Sequence, residues 1–407
     1  MTLLVSSWHR ALLLIFVLAL LTRGFFIGTQ QDGFYFPDSI SYSRTAVNLI
    51  EYGEFGATFG RAPAYPVFIA AVYALFGESI FAIRAVESVM GAFLAVIIAV
   101  LGRRAGGELN GALAGGIWAV YPMGVFIAGL VYPTGLAAML LACGVWCLLP
   151  DELEELSAKG VFAAGIFFGL ATLAIPVGLL TIIVVAAWVF YWSRRRRMVM
   201  ACLLLFGAAL ALGPWTLRNF AVHGKLVAVQ ANIDRHTPKI LIADKKDSGD
   251  DWNSITRRLD AFAAHLGMQF IHFWELYPDR IKMSRPRHRE NWKQKDSRVV
   301  TSTIFSPGGL INMISIVSTG PVFLFAILGT GIMWFRREVQ RHVSLFWAMI
   351  LSFAIGYAFF VGRIRYRIPI EPYIIIVSAY GLASTWYVLR NHLPYFYNKK
   401  TYEKAAT

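Results

Sequence analysis

The sequence predicts an all-α polytopic membrane protein with about ten transmembrane helices, and three observations carry that expectation. Of 407 residues, 57% are hydrophobic and 15% charged, against about 25% charged in soluble domains. The apolar residues fall in runs near the length of about 20 that a span needs. The net charge of +14 sits mainly between those runs. There it orients the chain and meets anionic lipid, so a nucleic-acid partner is rejected.

The first run, 10–28, follows Trp8-His9-Arg10. Thr22-Arg23-Gly24-Phe25-Phe26 lacks a small-x-small cleavage pattern, so the run is read as a retained signal anchor. Further spans are expected at 80–102, 109–128, 132–149, 160–175, 177–193, 199–217, 309–334, 342–361 and 372–389. The stretch Tyr65–Phe76 is apolar but too short to cross. It is expected in the interface or partway into the membrane. Trp252 to Leu276 carries Ile255, Leu259, Phe262, Leu266, Phe270 and Phe273 at helical spacing. That spacing predicts an external amphipathic helix lying on the membrane or packed over the core. No repeat of 20–50 residues is visible.

The basic clusters Arg103-Arg104, Arg194 to Arg197, Arg336-Arg337 with Arg341, and the tail from Arg390 to Lys404 alternate with ten spans. They are assigned to the cytoplasm. The acidic loop Asp151-Glu152-Leu153-Glu154-Glu155 falls on the same side, and acidic residues count little in the rule. Three regions follow. Residues 1–217 form an N-terminal membrane region with an external loop, 29–79. Residues 218–306 form an external, basic segment, and residues 307–407 a second membrane region with a cytoplasmic tail. No Asn-x-Ser/Thr sequon occurs, which fits a bacterial source. The expected location is the bacterial inner membrane, multi-pass, with the active face periplasmic. Cys143, Cys147 and Cys202 all lie in apolar runs and read as packing residues. They predict no disulfide framework and no zinc site.

A polar stretch past the first span carries the candidate chemistry: Phe36-Pro37-Asp38-Ser39-Ile40-Ser41-Tyr42, then Arg61-Ala62-Pro63-Ala64-Tyr65-Pro66. A lone carboxylate and an arginine at a bilayer rim mark a functional site by default. Pro37 forbids helix at Phe36. Asp38 is therefore expected as an N-cap, with a helix from Ser39 to about Tyr52 closed by Gly53. Tyr42 shares the face of Asp38, and Arg44 lies on a neighbouring one. Arg218 and Asn219 follow Gly213-Pro214-Trp215-Thr216-Leu217 at an outer span end. Arg363, Arg365 and Arg367 recur outside a membrane helix, against the positive-inside bias, so an anionic head group is their expected partner. Arg84 and Glu87, three apart, are expected to form a structural pair.

The ordered motifs P-D-S-x-x-Y, R-x-P-x-Y-P, G-P-W-T-L-R-N-F-A-V-H-G-K and R-Y-R-I-P-I-E-P-Y resemble the polyprenyl-phosphate-sugar-dependent glycosyltransferases of the GT-C membrane fold. This is the glycosyltransferase 39 group, which includes protein O-mannosyltransferases and the lipid A aminoarabinose transferase. The resemblance covers roughly residues 10–235 and 300–390. It implies a catalytic acidic residue in the first external loop, carried here by Asp38, which is expected to act as general base. It also implies substrate-binding positions matching Arg61 and Arg218. Tyr42, Arg44, Tyr65, Asn219, Arg365 and Arg367 join the expected substrate-binding set. Where many relatives have Asp-Glu, this chain has Asp38-Ser39, and where many have Arg it has Ile175 before Pro176. The first departure leaves a divalent metal possible but not indicated.

A sugar on a polyprenyl phosphate already has a good leaving group, so one base suffices, unlike the paired carboxylates of glycosidases. Direct displacement would invert the anomeric centre. Arginine forks suit the departing phosphate. The expected acceptor is a glycolipid such as lipid A, another glycan or a protein. A polysaccharide polymerase or ligase would share this face. A transporter or flippase of a lipid-linked sugar would instead place charges at span midpoints and break helices in pairs.

Overall fold

The structure is a computed structural model that describes residues 7–55, 61–150, 155–224, 226–230, 252–276, 281–284, 297–300 and 307–405. In chain order the helices are α1 (Ser7–Gly28), α2 (Pro37–Tyr52), α3 (Ala64–Phe76), α4 (Ile80–Val120) and α5 (Pro122–Phe126). They continue with α6 (Thr134–Leu148), α7 (Ala158–Ala174), α8 (Gly178–Trp192), α9 (Arg197–His223) and α10 (Trp252–Trp274). The last are α11 (Pro307–Trp334), α12 (Gln340–Ala358), the single turn α13 (Ile364–Arg367) and α14 (Glu371–Ala405). Short 3₁₀ turns occupy Ile127–Gly129 and Ile368–Ile370. A two-stranded antiparallel ribbon, β1 (Ile281–Ser284) with β2 (Ser297–Val300), was not expected and leaves the all-α class unchanged.

Every expected span contains helix. Among the described residues, six helices are long and apolar enough to cross a membrane: Ser7–Gly28, Ile80–Val120, Arg197–His223, Asn312–Trp334, Gln340–Ala358 and Ile364–Arg390. The α6, α7 and α8 helices are apolar but only 15–17 residues long, about 22–26 Å at 1.5 Å per residue. Prolines bound them: Pro133 precedes α6, and Pro176 keeps Ile175 out of helix at the end of α7. The expected span 80–102 and the first part of 109–128 belong to one 41-residue element, ending at Val120, that doubles back at Gly106 and Gly107; the rest of the second span is α5 and the 3₁₀ turn after it. Gly107 has φ of 84° and ψ of −179°, a region that glycine alone enters readily. Across the bend, Asn110 Nδ2 donates to the Gly102 carbonyl at 2.7 Å.

With little hydrophobic drive between helices in lipid, close backbone approach holds spans together. The α7–α9 pair shows this, because a Cβ at Gly165 would collide with the Leu204 carbonyl. The α11–α14 pair is equally close at Gly329 and Gly381. A separate, smaller core seats the polar loops. It joins Phe34, Ile40, Tyr42 and Ala46 to Tyr65, Ile69 and Tyr73 of α3, to Ile83, and to Val131 and Tyr132. The amphipathic α10 packs on α12 and α13, close to the expected 252–276. The side chain of Ile255 and the acidic residues 151–154 lie outside the described residues.

One local expectation is corrected. Asp38 does not cap α2. The helix begins at Pro37, Phe36 holds the N-cap position, and no side chain bonds the cap. Proline at the first position needs no cap for its missing N–H and presets φ. The Asp38 carboxylate instead turns outward to other partners. At the far end Gly53 closes the helix as expected, left-handed at φ 68°, with its N–H donating to Leu49.

Candidate active site

Four separate parts of the chain converge on Asp38. Arg61, just before α3, donates from Nη2 to Asp38 Oδ1 at 2.6 Å. The Tyr132 hydroxyl, from the loop before α6, donates to Oδ2 at 3.1 Å. The Arg61 guanidinium lies 4.9 Å from the centre of the Tyr42 ring. Arg365, from α13, lies between the rings of Tyr132 (5.3 Å) and Tyr366 (4.9 Å) and donates to the Tyr366 hydroxyl at 3.0 Å. Tyr366 in turn stacks on Tyr357 at 4.5 Å. Cation–π contacts of this kind hold a guanidinium in place without neutralising it.

The charges are arranged for an anion. One carboxylate faces two guanidiniums, so this cluster carries a net positive charge. The Asp38 and Arg61 side chains are each 32% exposed, which leaves the cluster open to a ligand. Burial pushes the Asp38 carboxyl up, but Arg61 by charge and hydrogen bond, Arg365 by charge and Tyr132 by hydrogen bond together hold it below the usual carboxylate range. Burial pulls Arg61 down, and Tyr42 and Asp38 more than restore it. Burial pushes the Tyr42 hydroxyl up to about 12. At neutral pH, Asp38 is therefore an anion and Tyr42 a neutral phenol.

The loop carrying Tyr132 is strained. Val131 has φ of 55° and is buried. A β-branched residue in the left-handed region costs of order 1–3 kcal/mol, and such strain clusters at functional sites. The Ser39 hydroxyl donates to the neighbouring Leu130 carbonyl at 2.9 Å, tying the start of α2 to the same loop.

Of the residues expected from the sequence, the structure brings Asp38, Tyr42, Arg61 and Arg365 together. Tyr65 lies behind them, fully buried, with its hydroxyl donating to Glu87 Oε1 at 2.6 Å and its ring against Tyr42 at 5.2 Å. Arg44 is on the exposed face of α2. Arg218 lies between Phe55 (5.7 Å) and Trp215 (5.0 Å) and donates to Asn219. Asn219 is buried and donates to the Val227 carbonyl. Arg367 is fully buried, paired with Glu371 at 2.9 Å and donating to the carbonyls of Phe273 and Glu275. The expected Arg84–Glu87 pair does not form. Arg84 donates to backbone carbonyls, and Glu87 accepts from Tyr65.

Sequence reasoning missed Tyr132, Tyr366 and Tyr357. The available signal for Tyr132 was Tyr132-Pro133 at the end of an expected span, a position where aromatic belts are common. Among the described residues, no three His, Cys, Asp or Glu side chains gather to hold a metal. Both oxygens of Asp38 already have donors.

The helices have the fold of a multi-pass membrane protein, with six among the described residues long and apolar enough to cross a membrane. Residues 60–216 match the family described as dolichyl-phosphate-mannose-protein mannosyltransferase. No relative matches among curated sequences. Among solved structures, the apo oligosaccharyltransferase of Archaeoglobus fulgidus matches with a TM-score of 0.61 and 13% identity, over 97% of this chain and 52% of that one. The same organism's AglB, in complex with an inhibitory peptide and a dolichol-phosphate, gives 0.59 at 13%, over 97% and 52%. ArnT from Cupriavidus metallidurans bound to undecaprenyl phosphate gives 0.55 at 15%, over 92% and 59%. At these identities the likeness is one of fold. The chain spans between half and three fifths of the length of these proteins.

Proposed function

We propose that this protein transfers a sugar from a polyprenyl-phosphate donor to an acceptor hydroxyl at the outer face of the inner membrane. The observation that carries the reading is the Asp38 carboxylate paired with Arg61, accepting from Tyr132 and within electrostatic reach of Arg365, in an otherwise apolar helical bundle. Solved structures of the same fold hold dolichol-phosphate and undecaprenyl phosphate, which supports a lipid-phosphate donor.

In this mechanism the acceptor oxygen attacks the anomeric carbon as Asp38 takes its proton, a contribution of about 10²–10⁴-fold. The bond from the anomeric carbon to the phosphate oxygen breaks on the opposite side, so the configuration inverts. The leaving group is polyprenyl phosphate. Its growing charge falls to Arg61 and Arg365, whose forks match phosphate oxygens. A donor phosphate also competes with Asp38 for Arg61. That competition loosens the 2.6 Å pair and makes the carboxylate a better base when the donor is in place. Arg218 and Arg44 stand as further contacts for donor or acceptor. The acceptor is a glycolipid, a glycan or a protein, and the basic segment 218–306 suits an anionic one. Anionic lipids surround the chain at its basic loops.

The test uses the purified full chain in nanodiscs with polyprenyl-phosphate sugars and a membrane extract as acceptor. Mass spectrometry follows conversion of donor to polyprenyl phosphate, and the anomeric configuration of the product is determined. Conversion with inversion supports the proposal. Retention would overturn the single-displacement mechanism. Vectorial movement of intact donor without conversion would favour a flippase.

A further inference from the structure

The geometry points to Arg84 as a positioning residue that sets the Tyr132 hydroxyl on Asp38 by tying together the two loops that carry them. This rests on the reading of Asp38 as the base.

Arg84 lies near the N-terminal end of α4 and is 3% exposed. All three of its nitrogens donate to backbone carbonyls. Nε reaches Gly129 at 3.1 Å, Nη1 reaches Gln31 at 3.0 Å, and Nη2 reaches Gly33 at 2.8 Å. Gln31 and Gly33 belong to the loop that leads into α2 and Asp38. Gly129 ends the 3₁₀ turn that leads, three residues later, to Tyr132. One planar guanidinium therefore spans both approaches to the Asp38–Tyr132 bond.

One residue it holds, Gly33, and one close to another, Val131, have unusual backbone conformations. Gly33 has φ of 121°, which side chains with a Cβ rarely adopt, so its carbonyl direction depends on glycine. Val131, directly before Tyr132, sits left-handed at φ 55°. Such a conformation persists only where the surroundings over-determine it. Arg84 at Gly129 and Ser39 at Leu130 hold the residues just before it, and the Tyr132–Asp38 bond holds the residue just after it. A carboxylate was available three residues along the same helix, yet Glu87 is engaged by Tyr65. A lysine, with a compact ammonium in place of the fork, cannot span three carbonyls in this plane.

The experiment compares wild type, Arg84→Lys, Tyr132→Phe and the double variant in nanodiscs. It records the pH profile of kcat/KM for donor conversion and the affinity for undecaprenyl phosphate. Arg84→Lys should lower kcat/KM by about 10–100-fold, the range for loss of one hydrogen bond to a charged group. It should move the acid limb to higher pH, as Tyr132→Phe does, because the carboxylate loses a donor. The double variant should be no worse than the poorer single one. An unmoved acid limb, or losses that multiply in the double variant, would overturn the inference. Should Arg84→Lys fail to fold, Ser39→Ala breaks the second tie between the same loops and should shift the limb in the same direction by less. An unmoved limb there overturns it equally. The two readings separate at Asp38→Asn. Full activity in that variant removes the base and this inference together. An inactive Asp38→Asn with multiplying Arg84 and Tyr132 losses removes this inference alone.

Discussion

Replacing Arg61 with methionine separates the two duties assigned to that side chain. Methionine keeps most of the apolar stem over the Tyr42 ring and deletes the guanidinium. For stability, the lost partner is a pair in which both side chains are 32% exposed. Solvent screens such pairs, and they contribute about 1 kcal/mol or less, no more than about 2–4 °C in melting temperature. For activity, the phosphate loses one positioned donor as its charge develops, which costs about 10²–10³-fold in kcat. The pH dependence has a definite sign. Arg61 is among the groups that hold the Asp38 carboxyl low, so its loss raises that pKa and the acid limb moves to higher pH. The linked stability behaves likewise. A depressed folded-state pKa contributes stability above the unfolded value of about 3.9 and loses it as the pH falls through the folded one. The wild-type advantage over Arg61→Met should therefore shrink at acid pH. Single-turnover conversion of a polyprenyl-phosphate sugar across pH, with melting curves on the same samples, tests this. Unchanged kcat, or an acid limb that stays put, would refute the reasoning.

Two further outcomes follow from placement. Arg367→Met strands Glu371, which is 1% exposed, as a buried unpaired charge, and should cost about 3–5 kcal/mol. The readout is a lower melting temperature and yield, with the Asp38→Asn protein as a folded control. Tyr65→Phe removes the donor to Glu87 and should destabilise by about 1–3 kcal/mol while leaving the affinity for undecaprenyl phosphate within about twofold, since it deletes no charged contact to phosphate. A melting temperature equal to wild type would contradict the first. A donor affinity that collapses in the second would place Tyr65 on the ligand.

The helical, multi-pass character was readable because hydropathy reports it directly, although six helices among the described residues, and not ten, have the length and composition of a span. Every expected span holds helix, and the bend at Gly106-Gly107 was visible as a break between two apolar runs flanked by Arg103-Arg104. The lone acid and its first arginine were readable for the same reason, since a charge stands out in an apolar chain. What was hidden depends on direction rather than identity. Arg365 and Arg367 look alike in sequence, yet two residues on a helical turn point about 200° apart. One faces the Tyr132 ring and the other the end of α10. Arg84 and Glu87 had the spacing of a helical pair, but a guanidinium satisfied by backbone carbonyls leaves no trace in side-chain patterns. Asp38 looked like a cap because Pro37 was read as a boundary instead of the first helical residue. Tyr132 was hidden among rim aromatics, and the four-residue strands were too short to show alternation.

The most direct test of the central claim is single-turnover donor conversion by Asp38→Asn, measured beside its affinity for undecaprenyl phosphate. The account predicts conversion lowered by at least about 10²-fold, with donor binding retained or tightened because Arg61 is freed for the phosphate. Conversion at the wild-type rate would contradict it, and Asp38 would then be a structural partner of Arg61 and Tyr132.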